Sequence, residues 1–238
     1  MDTQSTSNQF IAIIPAAGIG SRMQAKQAKQ YLKLGARTIL ERTLTVFCEH
    51  PDISAVYVAL HPHDPSFDSL SVATHPKIQR VTGGTERVNS VLHCLHDIST
   101  ANSVVLVHDA ARPCLQKQDI DRLLAHYRTH SAPAILAKPA SDTIKVSETE
   151  QPLVQSTLDR RTIWQAQTPQ IAALTQLKQS ISEGLAKGLT LTDEASALEA
   201  AGYPVTLLAG PSYNIKVTHP EDLALAEFYL TQQGLMPA

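Results

Sequence analysis

Residues 15–30, PAAGIGSRMQAKQAKQ, hold the densest set of groups able to do chemistry. They follow an apolar run, FIAIIP at 10–15, and open α/β sheets bind ligands beyond the carboxyl ends of their strands. Gly18 and Gly20 permit a tight turn and a close backbone approach, so successive N–H groups can converge on an anion. Arg22, Lys26 and Lys29 add three cations in the same short stretch. The dinucleotide pattern G-x-G-x-x-G fails, because Met23 stands where the third glycine belongs, and no Lys-Ser/Thr pair completes a Walker loop. A glycine turn with three cations suits a triphosphate better than a dinucleotide. On these residues alone, a tight strand-to-helix turn beside solvated lysines is an equal reading.

A second glycine turn, Gly83-Gly84, precedes Thr85, Glu86 and Arg87 and opens a helix that contains Ser90, so it offers backbone donors to a base or a phosphate. The alternative is a plain loop and helix cap. In VHDAARP at 107–113, Asp109 and Arg112 stand just past an apolar run, where a carboxylate can meet a metal, a sugar hydroxyl or an arginine; the alternative is an N-cap beside a surface arginine. Asp193 and Glu194 read as first-turn acids favoured by the helix dipole. His126 and His130 are spaced i, i+4, but HYRTH lacks the glutamate of H-E-x-x-H and reads as a polar helix face. His61, His63 and Asp64 lie in a proline-bearing loop and read as exposed punctuation. G-x-S-x-G does not occur, so no nucleophile elbow is present.

The elements that must position these groups are legible from periodicity. Apolar, β-branched runs at 10–15, 53–60 and 103–108 read as buried parallel strands. Helical spacing lies between them, at 38–49 (Leu40, Leu44, Phe47) and 86–96 (Val88, Val91, Leu92, Leu95). A further helix at 119–129 leads to a strand at 132–137. Alternation of this kind predicts an α/β doubly wound core. Residues 139–169 break the pattern with two short strand-like runs, DTIKV and PLVQSTL, too poor in apolar surface to stand alone. This segment reads as a projecting dimer arm, or else as a long surface hairpin. Helices are expected at 172–185 and 193–201, the latter with Thr192 as N-cap and Gly202 beyond its end. Two short strands, 205–209 and 214–217, precede a last helix opened by a Thr218/Glu221 capping box, with Leu223, Ala226, Phe228 and Leu230 on its buried side.

The bulk properties bound the function. Twenty basic against 22 acidic residues give a formal charge of −2, and aromatics are 5%, which argues against a protein whose main work is gripping nucleic acid. Cys48, Cys94 and Cys114 form neither a C-x-x-C pair nor a disulfide framework, which points to a reducing cytoplasm. The first nine residues lack the basic and apolar regions of a signal peptide, and no apolar run is long enough to span a bilayer, so no membrane anchor is expected.

PAAGIGSRM, KQYL, TGGTERVNSV, VHDAARP, LDRRTIWQAQTPQ, LTDEASALE and NIKVTHPEDL, in this order, resemble the 2-C-methyl-D-erythritol 4-phosphate cytidylyltransferases of the non-mevalonate isoprenoid pathway. The likeness runs from about Phe10 to about Phe228. Ribitol 5-phosphate cytidylyltransferases share much of the pattern. The resemblance implies one Rossmann-like nucleotidyltransferase domain over 1–238, with a dimerising β-arm at about 139–169. It implies a homodimer, CTP and a divalent ion, usually Mg²⁺, and transfer of CMP to the alditol phosphate with release of pyrophosphate. By position, Ala16, Ala17, Gly18, Gly84, Thr85, Ser90 and Ala110 would hold CTP, and Arg22 and Lys29 would stabilise the transition state. Asp109, Arg112, Thr168, Thr192 and Lys216 would surround the alditol phosphate, joined by Thr143 and Arg160 from the other subunit's arm. The ion would be held mainly by the CTP phosphates, with Asp109 as a candidate ligand. Ala28 departs from a common proline and Thr85 from a frequent acid. The chain ends soon after its last helix, so no fused cyclodiphosphate synthase domain is expected. The same chemistry on ribitol 5-phosphate, and a non-catalytic nucleotide-binding regulator, are the competing expectations.

Overall fold

A computed structural model describes residues 8–18, 28–100, 102–148 and 151–237. Four parallel strands form one side of its central sheet: β1 (Gln9–Pro15), β4 (Ile53–Leu60), β5 (Ile78–Thr82) and β6 (Ser103–Val107). A small ladder, β2 (Lys33–Leu34) with β3 (Arg37–Thr38), leads into α1 (Ile39–Cys48); α2 (Arg87–Asp97) and α3 (Lys117–His130) follow β5 and β6. Beyond β7 (Ala134–Pro139) come the arm strands β8 (Ile144–Ser147) and β9 (Val154–Leu158), then β10 (Trp164–Ala173), α4 (Leu174–Ala186), α5 (Glu194–Ala200), β11 (Thr206–Ala209) and α6 (Glu221–Gln232). The sheet order is β11-β7-β10-β6-β1-β4-β5.

Alternation along the strands sorts the core into two layers. Phe10, Ala12 and Ile14 of β1 pack with Leu44 and Phe47 of α1 and Leu123 of α3 on one face. Ile11 and Ile13 pack with Leu95 of α2, Leu177 and Ile181 of α4 and Leu198 of α5 on the other. The start of α1 is a capping box: Thr38 Oγ1 accepts from Glu41 N at 3.1 Å, while Glu41 Oε2 accepts from Thr38 N at 2.8 Å.

The α/β expectation holds, with corrections to individual elements. The sheet does not grow by parallel addition after β6, because β10 runs antiparallel between β6 and β7. Its last residues are those read as the start of a helix at 172; Ile171 and Ala172 are buried in the sheet, and the helix begins only at Leu174. The edge strand β5 escaped notice because IQRVT is only half apolar. Residues 214–217 form an irregular segment rather than a strand, and Asp193 rather than Thr192 caps α5, its side chain accepting from Ser196 N at 2.9 Å. At the last helix, Asp222 rather than Glu221 takes the amides of Thr218 and His219, each at 2.8 Å, and Phe228 points outward, 56% exposed. Gly202 does follow α5 with φ +82°.

The segment read as a dimer arm or a surface hairpin forms a separate two-stranded antiparallel ladder of β8 and β9, with Leu153, Val154 and Leu158 exposed along it. Among the described residues no helix is long and apolar enough to cross a membrane.

The orientation of α6 gives a direct test in urea unfolding. Leu230→Ala, at a fully buried position, should cost about 2–5 kcal/mol, whereas Phe228→Ala should stay within about 0.5 kcal/mol of the parent. Comparable losses would reverse the assigned face.

Candidate active site

The ends of β1, β5 and β6 converge on one cleft of about 300 Å³, walled by the segments after each strand. The ladder continues into these segments: Ala16 N donates to Ala59 O at 2.8 Å, Gly83 N to Leu60 O at 2.8 Å and His108 N to Ile13 O at 2.9 Å. The first glycine turn is held from behind by Gln30, a buried side chain whose Nε2 donates to Ala16 O at 2.8 Å and Gly18 O at 3.0 Å. Its neighbour Lys29 extends Nζ to Val217 O at 3.0 Å. A Cβ added at Gly18 meets no described atom within 4 Å, so the described protein leaves that place open. At Gly83, by contrast, an added Cβ would collide with the Ala17 side chain, so the two turns touch only because this residue has none.

Asp109 stands at the centre. Its Oδ1 accepts from Arg87 Nε at 3.0 Å; its Oδ2 accepts from Lys216 Nζ at 2.9 Å and lies 3.4 Å from Arg112 Nε. Burial alone would raise the Asp109 carboxyl, but Arg87, Lys216 and Arg112 outweigh it and hold it well below the usual carboxylate range. Arg87 also forks onto Glu194, Nη1 to Oε1 at 2.7 Å and Nη2 to Oε2 at 3.0 Å. Burial works against the Arg87 charge, and the two carboxylates more than restore it. With Lys29 the cleft gathers four cations, Arg87, Arg112, Lys216 and Lys29, against the carboxylates of Asp109, Glu194 and Glu86, so it is net positive and suits an anion.

Below the carboxylate runs a chain of hydrogen bonds in which every donor finds an acceptor. Asp109 N donates to Thr168 Oγ1 at 3.0 Å, the Thr168 hydroxyl lies 2.9 Å from His108 Nδ1, and His108 Nε2 lies 3.2 Å from Arg112 O. A carbonyl only accepts, so Nε2 carries a hydrogen. Burial pushes His108 down to about 4, so the ring is neutral and Nδ1 accepts from the Thr168 hydroxyl. Asn214 closes the floor, accepting Arg112 Nη1 on its carbonyl at 2.7 Å and donating Nδ2 to Thr168 O at 2.7 Å.

The cleft thus gathers Ala16, Ala17, Gly18, Lys29, Gly84, Thr85, Ser90, Asp109, Ala110 and Lys216 from distant parts of the sequence. Arg112 and Thr168 lie beneath Asp109 and bond to it. Thr192, Thr143 and Arg160 are not among its walls: Thr192 is exposed ahead of α5, and the other two are exposed near the foot of the arm, where Arg160 Nη1 donates to Ser141 O at 2.6 Å. Arg22, Gly20 and Lys26 lie outside the described residues. The expectation of free amides at the second glycine turn is corrected, since Gly83 N is taken by Leu60 O and Gly84 N by Ser90 Oγ at 3.0 Å.

Gln30, His108 and Asn214 were not anticipated; each makes its contribution through long-range hydrogen bonds that leave no spacing in the sequence. Arg87 and Glu194 were seen only as a loop cation and a first-turn acid. The one His/Asp group among the described residues close enough to share a metal, His50, Asp52 and Asp121, sits at the opposite end of the sheet, where β4 begins. A larger cavity of about 590 Å³, between α1 and the end of α6, shares no residue with the cleft.

The match to the family model for 2-C-methyl-D-erythritol 4-phosphate cytidylyltransferase extends over residues 10–232. The chain belongs to this family. A cytidylyltransferase of that name from Aeromonas hydrophila is 53% identical over 223 residues, covering 94% of this chain and 90% of the relative. One from Cronobacter sakazakii is 51% identical over 222 residues, covering 93% and 94%. The crystal structure of the Francisella tularensis cytidylyltransferase superimposes with a TM-score of 0.81 at 38% identity, covering 94% of this chain and all of that one.

A pH titration of stability reads the His108 chain. An unfolded histidine titrates near ~6.5, and the folded one at about 4. Between these values the unfolded state binds the extra proton, so stability present above ~6.5 falls as pH drops towards 4, by about 3 kcal/mol. His108→Gln should flatten the slope of unfolding free energy across this window, whatever its own cost at pH 7. An unchanged slope would show that His108 is protonated in the fold.

Proposed function

We propose that the cleft transfers CMP from CTP to 2-C-methyl-D-erythritol 4-phosphate, giving 4-diphosphocytidyl-2-C-methyl-D-erythritol and pyrophosphate. What carries this reading is the net positive cluster of Arg87, Arg112, Lys216 and Lys29 around a single central carboxylate at the strand ends, in a chain of this family. The reading takes the whole chain as one nucleotidyltransferase domain acting in the cytoplasm, consistent with three buried free thiols that burial pushes up to about 12.

The attacking group is a phosphate monoester. Its second pKa near ~6 leaves it dianionic at neutral pH, so no protein base has to remove a proton. This agrees with a cleft whose nearest histidine is buried and hydrogen-bonded on both nitrogens. The difficulty is electrostatic: two anions must meet in line at the α-phosphorus, and charge must be offset as pyrophosphate departs. Lys29 and Arg22 are assigned to the triphosphate side, and Lys216 and Arg112, both anchored on Asp109, to the acceptor phosphate. Ala16, Ala17, Gly18 and Ala110 hold the nucleotide by being small, and Gly18 leaves room for close approach. With its amide committed to Ser90, Gly84 has its carbonyl to offer the exocyclic amine of cytosine, beside Thr85. Thr168 sets Asp109, and Thr192 borders the acceptor.

A divalent ion, Mg²⁺ by the family's habit, would be held chiefly by the triphosphate oxygens. Of the two carboxylates lining the cleft, Asp109 has both oxygens on cations, which leaves Glu86 as the other protein oxygen donor of that kind. Bound there, it would supply charge neutralisation at the phosphates.

The exposed arm, with Leu153, Val154 and Leu158 bare, is assigned to a homodimer in which Thr143 and Arg160 reach the partner's cleft. Two experiments test the reading. Pyrophosphate release with Mg²⁺ should be strong with CTP and methylerythritol phosphate and weak with ribitol 5-phosphate or with ATP, GTP or UTP. Lys29→Ala should lower turnover roughly a hundredfold, the size expected of one well-aimed charge, with little change in melting temperature; near-normal turnover would remove Lys29 from the mechanism. For the arm, mixing inactive Lys29→Ala and Arg160→Ala subunits should restore activity, and heterodimers that stay inactive would refute the shared site.

A further inference from the structure

Glu194 has no role in the reading above, yet its pair with Arg87 is made through two hydrogen bonds. Glu194 is a first-turn residue of α5 and its side chain is 3% exposed. A buried carboxylate so placed needs a partner, and it takes both terminal nitrogens of one guanidinium. The third edge of that guanidinium, Nε, points at Asp109 Oδ1. Because the guanidinium is planar and rigid, fixing its fork on Glu194 fixes the direction of Nε, and with it the plane of the Asp109 carboxylate. Oδ2 is then presented to Lys216 and Arg112.

We infer that Glu194 is a positioning residue for the acceptor side of the cleft, acting through Arg87 on Asp109. This rests on the function proposed above and adds a residue to it. Arg87 begins α2, directly after the glycine turn on the nucleotide side; Glu194 begins α5, next to Thr192 on the acceptor side; Asp109 follows β6 between them. The guanidinium is thus a strut across three elements. It is also a charge to be kept in place. Without the Glu194 carboxylate, Arg87 would be free to turn from the wall towards an incoming phosphate, and Asp109 would be left to rotate between Lys216 and Arg112.

Steady-state kinetics separate this from a merely structural role. Glu194→Gln keeps the shape and removes the charge and the second acceptor; it should raise KM for methylerythritol phosphate about tenfold, with KM for CTP within about twofold. Arg87→Lys retains a charge but cannot address both carboxylates, and should shift the same constant in the same direction. The double variant should then be no worse than Arg87→Lys alone, because Glu194 has nothing left to act through. Multiplying effects in the double variant, equal shifts in both KM values, or an unchanged acceptor KM would each overturn the inference. If Glu194→Gln fails to fold, Glu194→Asp, which keeps the charge and shortens its reach by one methylene, carries the same measurements. A parent protein without turnover would remove the functional reading and this inference together, whereas an active parent with unaltered variants would remove the inference alone.

Discussion

Everything in the cleft is arranged about one buried carboxylate. Asp109 is held ionised by three cations that come from α2, from its own loop and from the segment before α6, and each of those cations is aimed by the bond it makes there. An isolated carboxylate at this depth would take up a proton; a set of unopposed cations would repel one another and scatter into solvent. The arrangement keeps charge fixed and dense where it would otherwise be neither. For a reaction between two anions, preorganised charge of this kind does the work that a proton-transfer group does elsewhere.

The backbone beneath that carboxylate is equally constrained. The chain from the Asp109 amide through Thr168 and His108 to the Arg112 carbonyl joins the end of β6 to β10, and Asn214 joins both to the final irregular segment. Thr43 of α1 donates to the carbonyl of Ala110 at 3.0 Å, so the helix that leads back from the first turn also braces the loop. A neutral histidine suits this place because it can accept at one nitrogen and donate at the other, while its ring packs 5.3 Å from that of Phe47.

The sequence was most readable where a single element decides the outcome. β1, β4 and β6 announce themselves by strongly apolar, β-branched runs, and α1 by the helical spacing of Leu40, Leu44 and Phe47. Reading failed where a distant partner overrides local preference. Ala172 and Ala173, read as the start of a helix, become strand because they pair antiparallel with Val105 and Val104 of β6. Phe228 was drawn inward by hydrophobicity alone, although the inward face of α6 falls on Ala226 and Leu230. At the site, the glycine turn, Lys29, Asp109 and Arg112 could be singled out by type and place. Gln30 and Asn214 could not, since an amide side chain gives no hint of which distant carbonyl it will reach. Glu194 looked like an ordinary helix-start acid, and only the arrival of Arg87 from more than a hundred residues away distinguishes it.

The placement of β10 bears on how the arm and the interior communicate. Both legs of the hairpin spring from inner strands of the sheet: one continues from β7, the other runs into β10, and neither is an edge. Their pairing slips by a bulge between Ala166 and Gln170, and Thr168 sits inside it. A hairpin hung on an edge strand could sway without consequence. Here the leg that enters β10 leads into the bulge holding Thr168, so displacing the ladder would strain the segment whose threonine accepts from the Asp109 amide.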